Sequence, residues 1–197
     1  MPRAAAFSRD SIVDAARVVA ASGGPGRLSI AGLGQELGAP TGSIYHRFKS
    51  RDELLASVWM DAVETFQAAL WVSAETHHDP GSLSRSIVTW CREHPTLAKI
   101  LTLYRREEWL GRRVSKATRA RAARLNEPVG RFLEERASRW LGTDSPEAVA
   151  AVQLAIVQVP TAAVEDWLRR DAPIPPWIDA AVDAAARAVL AEFATCR

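Results

Sequence analysis

The chain has 197 residues, of which 48% are hydrophobic and 24% are charged, an ordinary composition for a soluble globular protein. This length is enough to bury a sizeable core. No uninterrupted apolar run reaches the roughly 18 residues of a membrane span, and the N-terminus lacks the apolar core of a signal peptide, so we expect a cytoplasmic protein with no membrane partner. Cys91 and Cys196 lack metal-ligand spacing, and we expect neither a metal site nor a disulfide.

The net charge of +2 is distributed unevenly. Residues 1–50 carry six basic and three acidic side chains, and residues 99–139 carry twelve basic and five acidic ones. Residues 51–98 and 140–197 are acidic on balance. The positive charge therefore has two sources along the chain, which is informative about partners rather than about fold.

The hydrophobic pattern is helical almost throughout, and no alternating run or Asn-Gly turn predicts a strand. After a loose N-terminal arm that carries Arg3, Ser8 is a good N-cap for a first helix. The glycine and proline cluster at residues 23–26 ends that helix. Arg3 and Arg9 are candidates for additional contacts with a polyanion.

A helix-turn-helix pattern follows. Ser29 caps a second helix that runs to Leu37, and Gly38 stands where a left-handed C-terminal cap is needed. Pro40 then stops this helix and begins a short third helix, which we expect to end near Phe48. Two short helices joined by a sharp turn can read the major groove of DNA, although any helical hairpin with a glycine–proline turn gives a similar pattern.

A long helix begins after the third one. Ser50 is its predicted N-cap, and Asp52 and Glu53 fall in its first turn, where acidic side chains interact favourably with the positive helix end. The helix is predicted to run to about Glu75, a length of about 37 Å at 1.5 Å per residue. A helix of this length can carry a signal from one domain to another.

The rest of the chain predicts further helices with proline interruptions. We expect helices over residues 82–94, with Ser82 as N-cap, and over residues 95–103, 115–141, 146–170 and 176–195. Pro128 and Pro160 predict a kink or a break within two of them. The apolar stripe of the last helix is predicted at Ile178, Ala181, Val182, Ala185, Val189 and Phe193. About nine helices result, so the predicted fold is all-α.

The third helix divides into two faces. Ala39, Ile44 and Phe48 are the apolar positions expected to pack against the second helix, with Gly34 allowing a close approach. The remaining positions suit DNA, because short hydroxyls and Gly42 permit close contact and the larger polar side chains reach phosphates. The predicted DNA-binding residues are Ser29, Thr41, Gly42, Ser43, Tyr45, His46, Arg47 and Arg51.

Residues 29–55 resemble the DNA-binding segment of the TetR (TetR/AcrR) family of transcriptional regulators. The matching positions are Ser29, Leu37-Gly38, Gly42-Ser43-Ile44-Tyr45, Phe48 and Arg51-Asp52-Glu53-Leu54. Three positions depart from the family pattern: Arg51 replaces a commoner lysine, Lys49 stands where proline is frequent, and Gly32 adds a glycine that costs its helix about 1 kcal/mol. The specific match covers about residues 8–58.

The resemblance implies an N-terminal three-helix DNA-binding domain at residues 1–50, followed by a helical bundle for ligand binding and dimerisation at residues 51–197. It further implies a homodimer that binds a pseudo-palindromic operator, with the dimer interface formed by the last two long helices. Repression is the usual output of the family, a small-molecule effector is the usual control, and no cofactor is expected.

Aromatic and polar side chains of the predicted bundle suggest where an effector binds, because aromatic residues commonly line apolar pockets. Ordinary core packing is the alternative for each aromatic residue, and a solvent-facing polar stripe is the alternative for the polar ones beside Pro160. The candidate ligand-binding residues are Trp59, Phe66, Trp90, Trp109, Gln153, Gln158 and Thr161.

The arginine-rich stretch of residues 105–124 has three interpretations. It attracts an acidic ligand, it extends the DNA footprint, or it is a solvated helical face with local partners such as Glu107 and Glu108. An enzyme is not expected, because the chain has no phosphate-binding loop, nucleophile elbow or His-Glu-x-x-His motif. The main alternative to a regulator is a helical ligand-binding or scaffold protein without specific DNA binding.

Overall fold

The computed structural model describes residues 7–196, so the predicted arm residue Arg3 lies outside the described part. The described residues contain no strand, which confirms the all-α class. The helices are α1 (Arg9–Gly23), α2 (Ile30–Leu37), α3 (Thr41–Arg47), α4 (Arg51–Thr76), α5 (Pro80–Glu93), α6 (Pro95–Thr102), α7 (Arg106–Trp109), α8 (Lys116–Arg124), α9 (Glu127–Leu141), α10 (Pro146–Gln153), α11 (Val159–Arg169) and α12 (Trp177–Thr195).

The chain packs as two compact units. The first unit comprises Met1–Val63 and Lys99–Arg124, and the second comprises Glu64–Ala98 and Leu125–Arg197. The boundary between Val63 and Glu64 falls inside helix α4. The two packing units differ from the predicted division of the chain at residue 50. That division concerns which part of the chain binds DNA, and it stays a prediction.

The first unit begins with a capped helix and a glycine turn. The Ser8 hydroxyl accepts a hydrogen bond from the Ser11 N–H at 3.0 Å, as the sequence predicted. The α1 helix ends at Gly24, which has a φ of 84°. A side chain at this position would be strained by that φ, and its Cβ would lie 2.7 Å from the Tyr104 ring. Gly24 therefore fixes the exit of α1 by both its conformation and its lack of a side chain.

The core of the second unit is a cluster of apolar side chains from α4, α5, α9, the α10–α11 region and α12. Its buried members are Leu70, Ala74, Leu83, Phe132, Leu133, Ala137, Ala148, Val152, Ala155, Ile156, Ala186 and Leu190. The buried positions of α12 are Ile178, Val182, Ala186 and Leu190. The predicted stripe was therefore only partly right: Ala181 is exposed, whereas Ala186 and Leu190 are buried, because α12 packs along a line with four-residue spacing.

One predicted helix cap was wrong, and the break predicted at Pro128 is present. Helix α5 is capped by Asp79, whose carboxylate accepts from the Ser82 N–H at 3.1 Å, and Ser82 lies inside the helix. The predicted helix over residues 115–141 is broken into α8 and α9. Pro128 lies in the first turn of α9, where its missing N–H leaves no hydrogen bond unmade.

Pro160 lies beside a change of helix type. Residues Leu154–Gln158 form a π-helical turn between α10 and α11. The Thr161 hydroxyl donates to the Val157 carbonyl at 2.7 Å and to the Gln158 carbonyl at 3.0 Å. The predicted kink at Pro160 therefore corresponds to a π-turn, in which a side-chain hydroxyl supplies hydrogen bonds to the backbone.

One stretch, Pro146–Arg169, is long and apolar enough to pass a membrane-span test based on length and composition alone. Its best window of 18 residues has a mean hydropathy of 1.5, and 33% of that window is buried. No membrane span was predicted from the sequence here, since Gln153 and Gln158 interrupt the apolar run. A single helix of this kind is weak evidence for a membrane, because core helices of soluble proteins pass the same test.

Candidate nucleic-acid interface

Three glycines shape helix α2 and the turn that follows it. The Ser29 hydroxyl accepts from the Gly32 N–H at 3.0 Å, and a Cβ on Gly32 would lie 2.9 Å from that oxygen. A Cβ on Gly34 would lie 2.9 Å from the Ala39 carbonyl oxygen. Gly38 has a φ of 62°, the left-handed cap that the sequence predicted. Gly32 thus leaves room for the Ser29 cap, and Gly34 leaves room for the turn. Gly38 adopts the left-handed conformation that ends α2.

Helix α3 buries the face that the sequence predicted. Ile44 is fully buried, and Phe48 and Ala39 are 2% and 7% exposed. These side chains fix the rotation of the helix about its axis, because a short helix with one buried stripe has only one stable orientation against its neighbours.

The opposite face of α3 is open to solvent. Thr41, Gly42, Tyr45 and His46 are exposed, and Tyr45 has 54% of its surface accessible. The Tyr45 phenol is therefore accessible to a partner, and its contact with DNA stays a prediction. The face combines hydroxyl donors, an imidazole and a glycine that admits a close approach.

The other two predicted contacts on α3 are half-buried. The Arg47 guanidinium donates to the Ser43 carbonyl at 3.1 Å, one turn earlier in the helix. This bond holds the arginine along the helix and leaves its charge uncancelled, because the acceptor is neutral. Ser29, at the head of α2, is exposed while its hydroxyl caps the helix.

Arg51 has partners that the sequence did not predict. Its Nε donates to the Leu28 carbonyl at 2.5 Å, and its Nη2 donates to the Pro25 carbonyl. The side chain is 37% exposed. Arg51 therefore ties the start of α4 to the turn between α1 and α2, and a role at a DNA phosphate stays a prediction.

Arg9 contacts residues that follow α3 in the chain. Its guanidinium donates to the Ser57 hydroxyl at 2.8 Å and lies 4.7 Å from the centroid of the Phe48 ring. From the sequence, Arg9 is predicted only as a contact with a polyanion. An arginine in the first turn of a helix gives no sign in the sequence of the aromatic ring that it covers.

The two acidic residues at the head of α4 hold a distant segment. The Asp52 carboxylate accepts from the Arg113 N–H at 2.9 Å. The Glu53 carboxylate accepts from the Ser115 N–H at 2.5 Å and from the Thr118 hydroxyl at 2.7 Å. The sequence assigned both acids to the dipole of their own helix, and the structure adds these cross-chain hydrogen bonds.

These hydrogen bonds also shift the acidity of Glu53. Burial by itself raises the pKa of its carboxyl, but hydrogen bonds from Ser115 and Thr118, with the charge of Lys49, outweigh burial. The net result is a pKa below the ordinary value of 4.5. The carboxylate is therefore ionised at neutral pH and is held by donors that carry no charge of their own.

The candidate ligand-binding residues do not form one group. Phe66 and Trp90 pack edge to face in the second unit, with ring centroids 5.0 Å apart. Trp59 and Trp109 belong to the first unit and are buried, with Trp109 fully so. The guanidinium of Arg106 lies 5.4 Å from the Trp59 ring.

The polar candidates lie on the α10–α11 region of the second unit. Gln153 and Gln158 are exposed. Thr161 is half-buried and uses its hydroxyl on the helix backbone. Because both glutamines are exposed, neither lines a cavity within its own chain. Of the candidates in the second unit, only Phe66 and Trp90 pack against each other.

The second unit contains an open cleft of about 690 Å³ between α4 and α5. Trp90 is the only candidate ligand-binding residue that lines it. The Trp90 Nε1 and the Ser73 hydroxyl are buried and have no hydrogen-bond partner in the described part of the chain. The cleft is lined by Ala68, Ala69, Val72, Ser73, Thr76, His77, Ser82, Arg85, Ser86, Thr89, Trp90, Glu93 and Asp179.

Comparison with solved structures relates the whole fold to known proteins. A bacterial regulatory protein of the tetR family from Rhodococcus RHA1 is 20% identical, with a TM-score of 0.68, covering 92% of this chain and 96% of that one. The transcriptional regulator FadR from Bacillus subtilis, solved in complex with stearoyl-CoA, is 16% identical with a TM-score of 0.68, covering 93% and 98%. No curated protein matches the chain by sequence.

Comparison with protein families matches the N-terminal part of the chain. Residues 12–58 match the family described as bacterial regulatory proteins, tetR family. The matched segment contains the turn between α2 and α3, the exposed face of α3 and the first turn of α4. The resemblance seen in the sequence is confirmed over this segment, which matches the tetR family model.

Proposed function

We propose that this protein is a transcriptional repressor that binds a pseudo-palindromic operator as a homodimer and responds to a small-molecule effector. The exposed face of α3 is the observation that carries the proposal. Helix α3 buries Ile44 and leaves Tyr45 and His46 in solvent. In a helix-turn-helix protein, this face is the one that enters the major groove.

The proposed DNA contacts divide by chemistry. Thr41, Gly42 and Ser43 lie at the start of α3, the end of a recognition helix that meets base edges. Tyr45 and His46 follow, with side chains long enough to reach phosphate oxygens. In this proposal the short residues carry sequence preference and the larger ones position the helix.

The homodimer is proposed to form through the α10–α11 region and α12. Two large apolar side chains on these helices are exposed: Leu154 has 40% and Trp177 has 62% of its surface accessible. The low burial of the apolar stretch Pro146–Arg169 within one chain supports the same surface. Covering such a surface with a second copy removes apolar area from water.

The effector is proposed to bind in the second unit, in the cleft lined by Trp90 and Ser73. Both residues have a buried polar atom without a partner, and such atoms are costly unless a ligand or a water molecule supplies a hydrogen bond. FadR, which shares the fold, was solved with stearoyl-CoA, and this supports a small-molecule effector in general. The proposal assigns no catalytic step, no cofactor and a cytoplasmic location.

Selection of duplexes from a random library by the full-length protein tests the central proposal. We expect enrichment of a pseudo-palindrome whose half-sites lie about one helical turn apart. Binding of the selected duplex should weaken steeply as salt is raised. Enrichment of no sequence would favour the alternative of a ligand-binding or scaffold protein.

Tyr45→Ala tests the exposed face directly. Binding to the selected duplex should weaken about tenfold, since one hydrogen bond to a charged group contributes about 1.5 kcal/mol. The melting temperature should not change, because Tyr45 is exposed. Val18→Ala is the control, since Val18 is 59% exposed and lies on α1 of the same unit. Equal affinities for the two variants would remove Tyr45 from the contact surface.

A further inference from the structure

The first unit holds an excess of positive charge that the helix-turn-helix segment does not explain. The unit contains sixteen basic and eight acidic residues, a net charge of +8, while the second unit has nine basic and fifteen acidic residues, a net charge of −6. Met1–Val63 contributes only seven basic and six acidic residues. Lys99–Arg124 therefore supplies seven of the eight positive charges.

The basic segment is fastened to the head of α4. The Ser50 hydroxyl donates to the Arg113 carbonyl at 3.2 Å, and the Arg113 N–H donates to Asp52 at 2.9 Å. Glu53 accepts from the Ser115 N–H. Ser50 lies three residues beyond Arg47, the last residue of α3, so these bonds fix the basic segment beside the end of α3.

The anchoring bonds use the main chain and leave the basic side chains available. Arg112, Arg113 and Lys116 are exposed, and no ion pair involving them occurs among residues 7–196. Asp52 and Glu53 are nearby, but they accept from N–H and hydroxyl groups. No acidic residue occurs in the sequence between Glu108 and Glu127. The three cations therefore face solvent beside a surface that is proposed to face DNA.

We propose that Arg112, Arg113 and Lys116 form a second DNA-backbone surface, which contacts phosphates beside the base pairs read by α3. This inference rests on the proposed DNA-binding function and extends its contact surface beyond the helix-turn-helix segment. Long, exposed cations on a fixed main chain match a row of phosphates, whereas an acidic small molecule needs an enclosing pocket. Such contacts raise affinity on every sequence and carry no preference between sequences.

The test uses the full-length protein with Arg112 and Arg113 both changed to glutamine. Glutamine keeps the main-chain anchors of Arg113 and removes two charges. The matched control changes Arg131 and Arg139 to glutamine, which removes the same charge from exposed positions on α9 of the second unit. The probes are the selected duplex and a scrambled duplex of equal length, each titrated over a range of salt concentrations.

We expect the Arg112/Arg113 variant to bind both duplexes at least about tenfold more weakly, with a salt slope lower by about 1.8 per protomer, since each phosphate contact contributes about 0.9. The Arg131/Arg139 variant should bind like the wild type. Unchanged affinity and slope, with a wild type that still binds the selected duplex, would overturn the inference and spare the proposed function.

The remaining outcomes separate the two proposals. A wild type that binds both duplexes equally, with a variant that loses both, would support the basic surface and contradict sequence-specific regulation. A loss confined to the selected duplex would show base reading instead of phosphate contact and would overturn the inference. A wild type that binds neither duplex at low salt would overturn both proposals.

Discussion

The two units use their charged side chains differently. In the second unit, arginines pair with carboxylates: Arg92 with Asp179 at 2.9 Å and Arg85 with Asp183 at 3.0 Å. In the first unit, several arginines donate to neutral main-chain carbonyls. The members of this group are Arg47 on Ser43, Arg51 on Leu28 and Pro25, Arg106 on Ala122 and Arg119 on Gly111.

This difference decides which unit keeps uncompensated positive charge. An arginine paired with a carboxylate has its charge cancelled at short range, whereas an arginine bound to a carbonyl keeps its full charge. Two arginines of the first unit are exceptions: Arg17 pairs with Asp61 at 2.6 Å, and Arg51 also lies 3.9 Å from the Asp52 carboxylate. The first unit thus gains rigidity from its arginines and still presents positive charge to a polyanion.

The largest expected effect comes from Arg51→Ala, which breaks the carbonyl-bound arrangement. Loss of its bonds to Leu28 and Pro25 should lower the free energy of unfolding by about 1–3 kcal/mol, because hydrogen bonds to a charged group are among the stronger ones. Urea titration measures this change. Arg92→Ala is the counterpart in the second unit, where Asp179 and the Ile174 and Pro175 carbonyls lose their donor.

The two variants should differ in DNA binding. Arg92→Ala should lose stability and keep the wild-type salt slope, because its charge was already cancelled. If Arg51→Ala instead keeps its stability and only lowers the salt slope, then Arg51 acts at a phosphate as the sequence predicted, and the carbonyl contacts are secondary.

Substitutions at two glycines test whether the shape of the α2–α3 surface, as well as its charge, matters for DNA binding. Gly42→Ala has no atom within 4 Å of the new Cβ, so it should stabilise the protein by about 0.5–1 kcal/mol and still weaken DNA binding, because the methyl group faces the duplex. Gly32→Ala should give no such gain, since the new Cβ crowds the Ser29 cap. Thermal melts and duplex titrations measure both, and equal stabilisation of both variants would contradict the crowding at Gly32.

The smallest expected effect concerns acid. The pKa of Glu53 is lowered in the fold, so its contribution to stability is complete above the ordinary value of 4.5 and is lost as the pH falls through the lower folded value. Hydrogen exchange at the Ser115 N–H should therefore speed up more between pH 5 and pH 3 than the intrinsic rate explains, by about a few-fold. Glu53→Gln should abolish that excess. An excess that persists in the variant would assign the acid sensitivity to another carboxyl.

Most of the exposed surface of α3 could be predicted from the sequence, because the caps, the turn and the apolar spacing that position it are local. Ser29, Gly38 and Pro40 act within one or two turns of the backbone, and the spacing of Ile44 and Phe48 fixes which face of α3 is buried. The same local reasoning placed the ends of α4 correctly. It failed for Ser82, because Asp79 and Ser82 are both good caps and the sequence does not rank them.

Contacts between distant segments could not be predicted. The Asp52 bond to Arg113 spans 61 positions and the Arg9 bond to Ser57 spans 48, and neither leaves a periodic trace in the sequence. For the same reason the aromatic candidates for a ligand site were found by composition, but Trp59 and Trp90 fall in different units. Composition counts aromatic residues and does not say which of them become neighbours.

The sequence by itself determined the helical class, the helix-turn-helix, the face of α3 that meets solvent and the family resemblance of the N-terminal segment. These follow from backbone propensity, capping and short-range periodicity, which act along the chain. Only the tertiary structure decided that Lys99–Arg124 packs in the same unit as α3, that Arg51 binds the turn before α2, and that the acids at the head of α4 hold the basic segment. These follow from side chains that meet across long separations, where packing of the whole unit selects the partners.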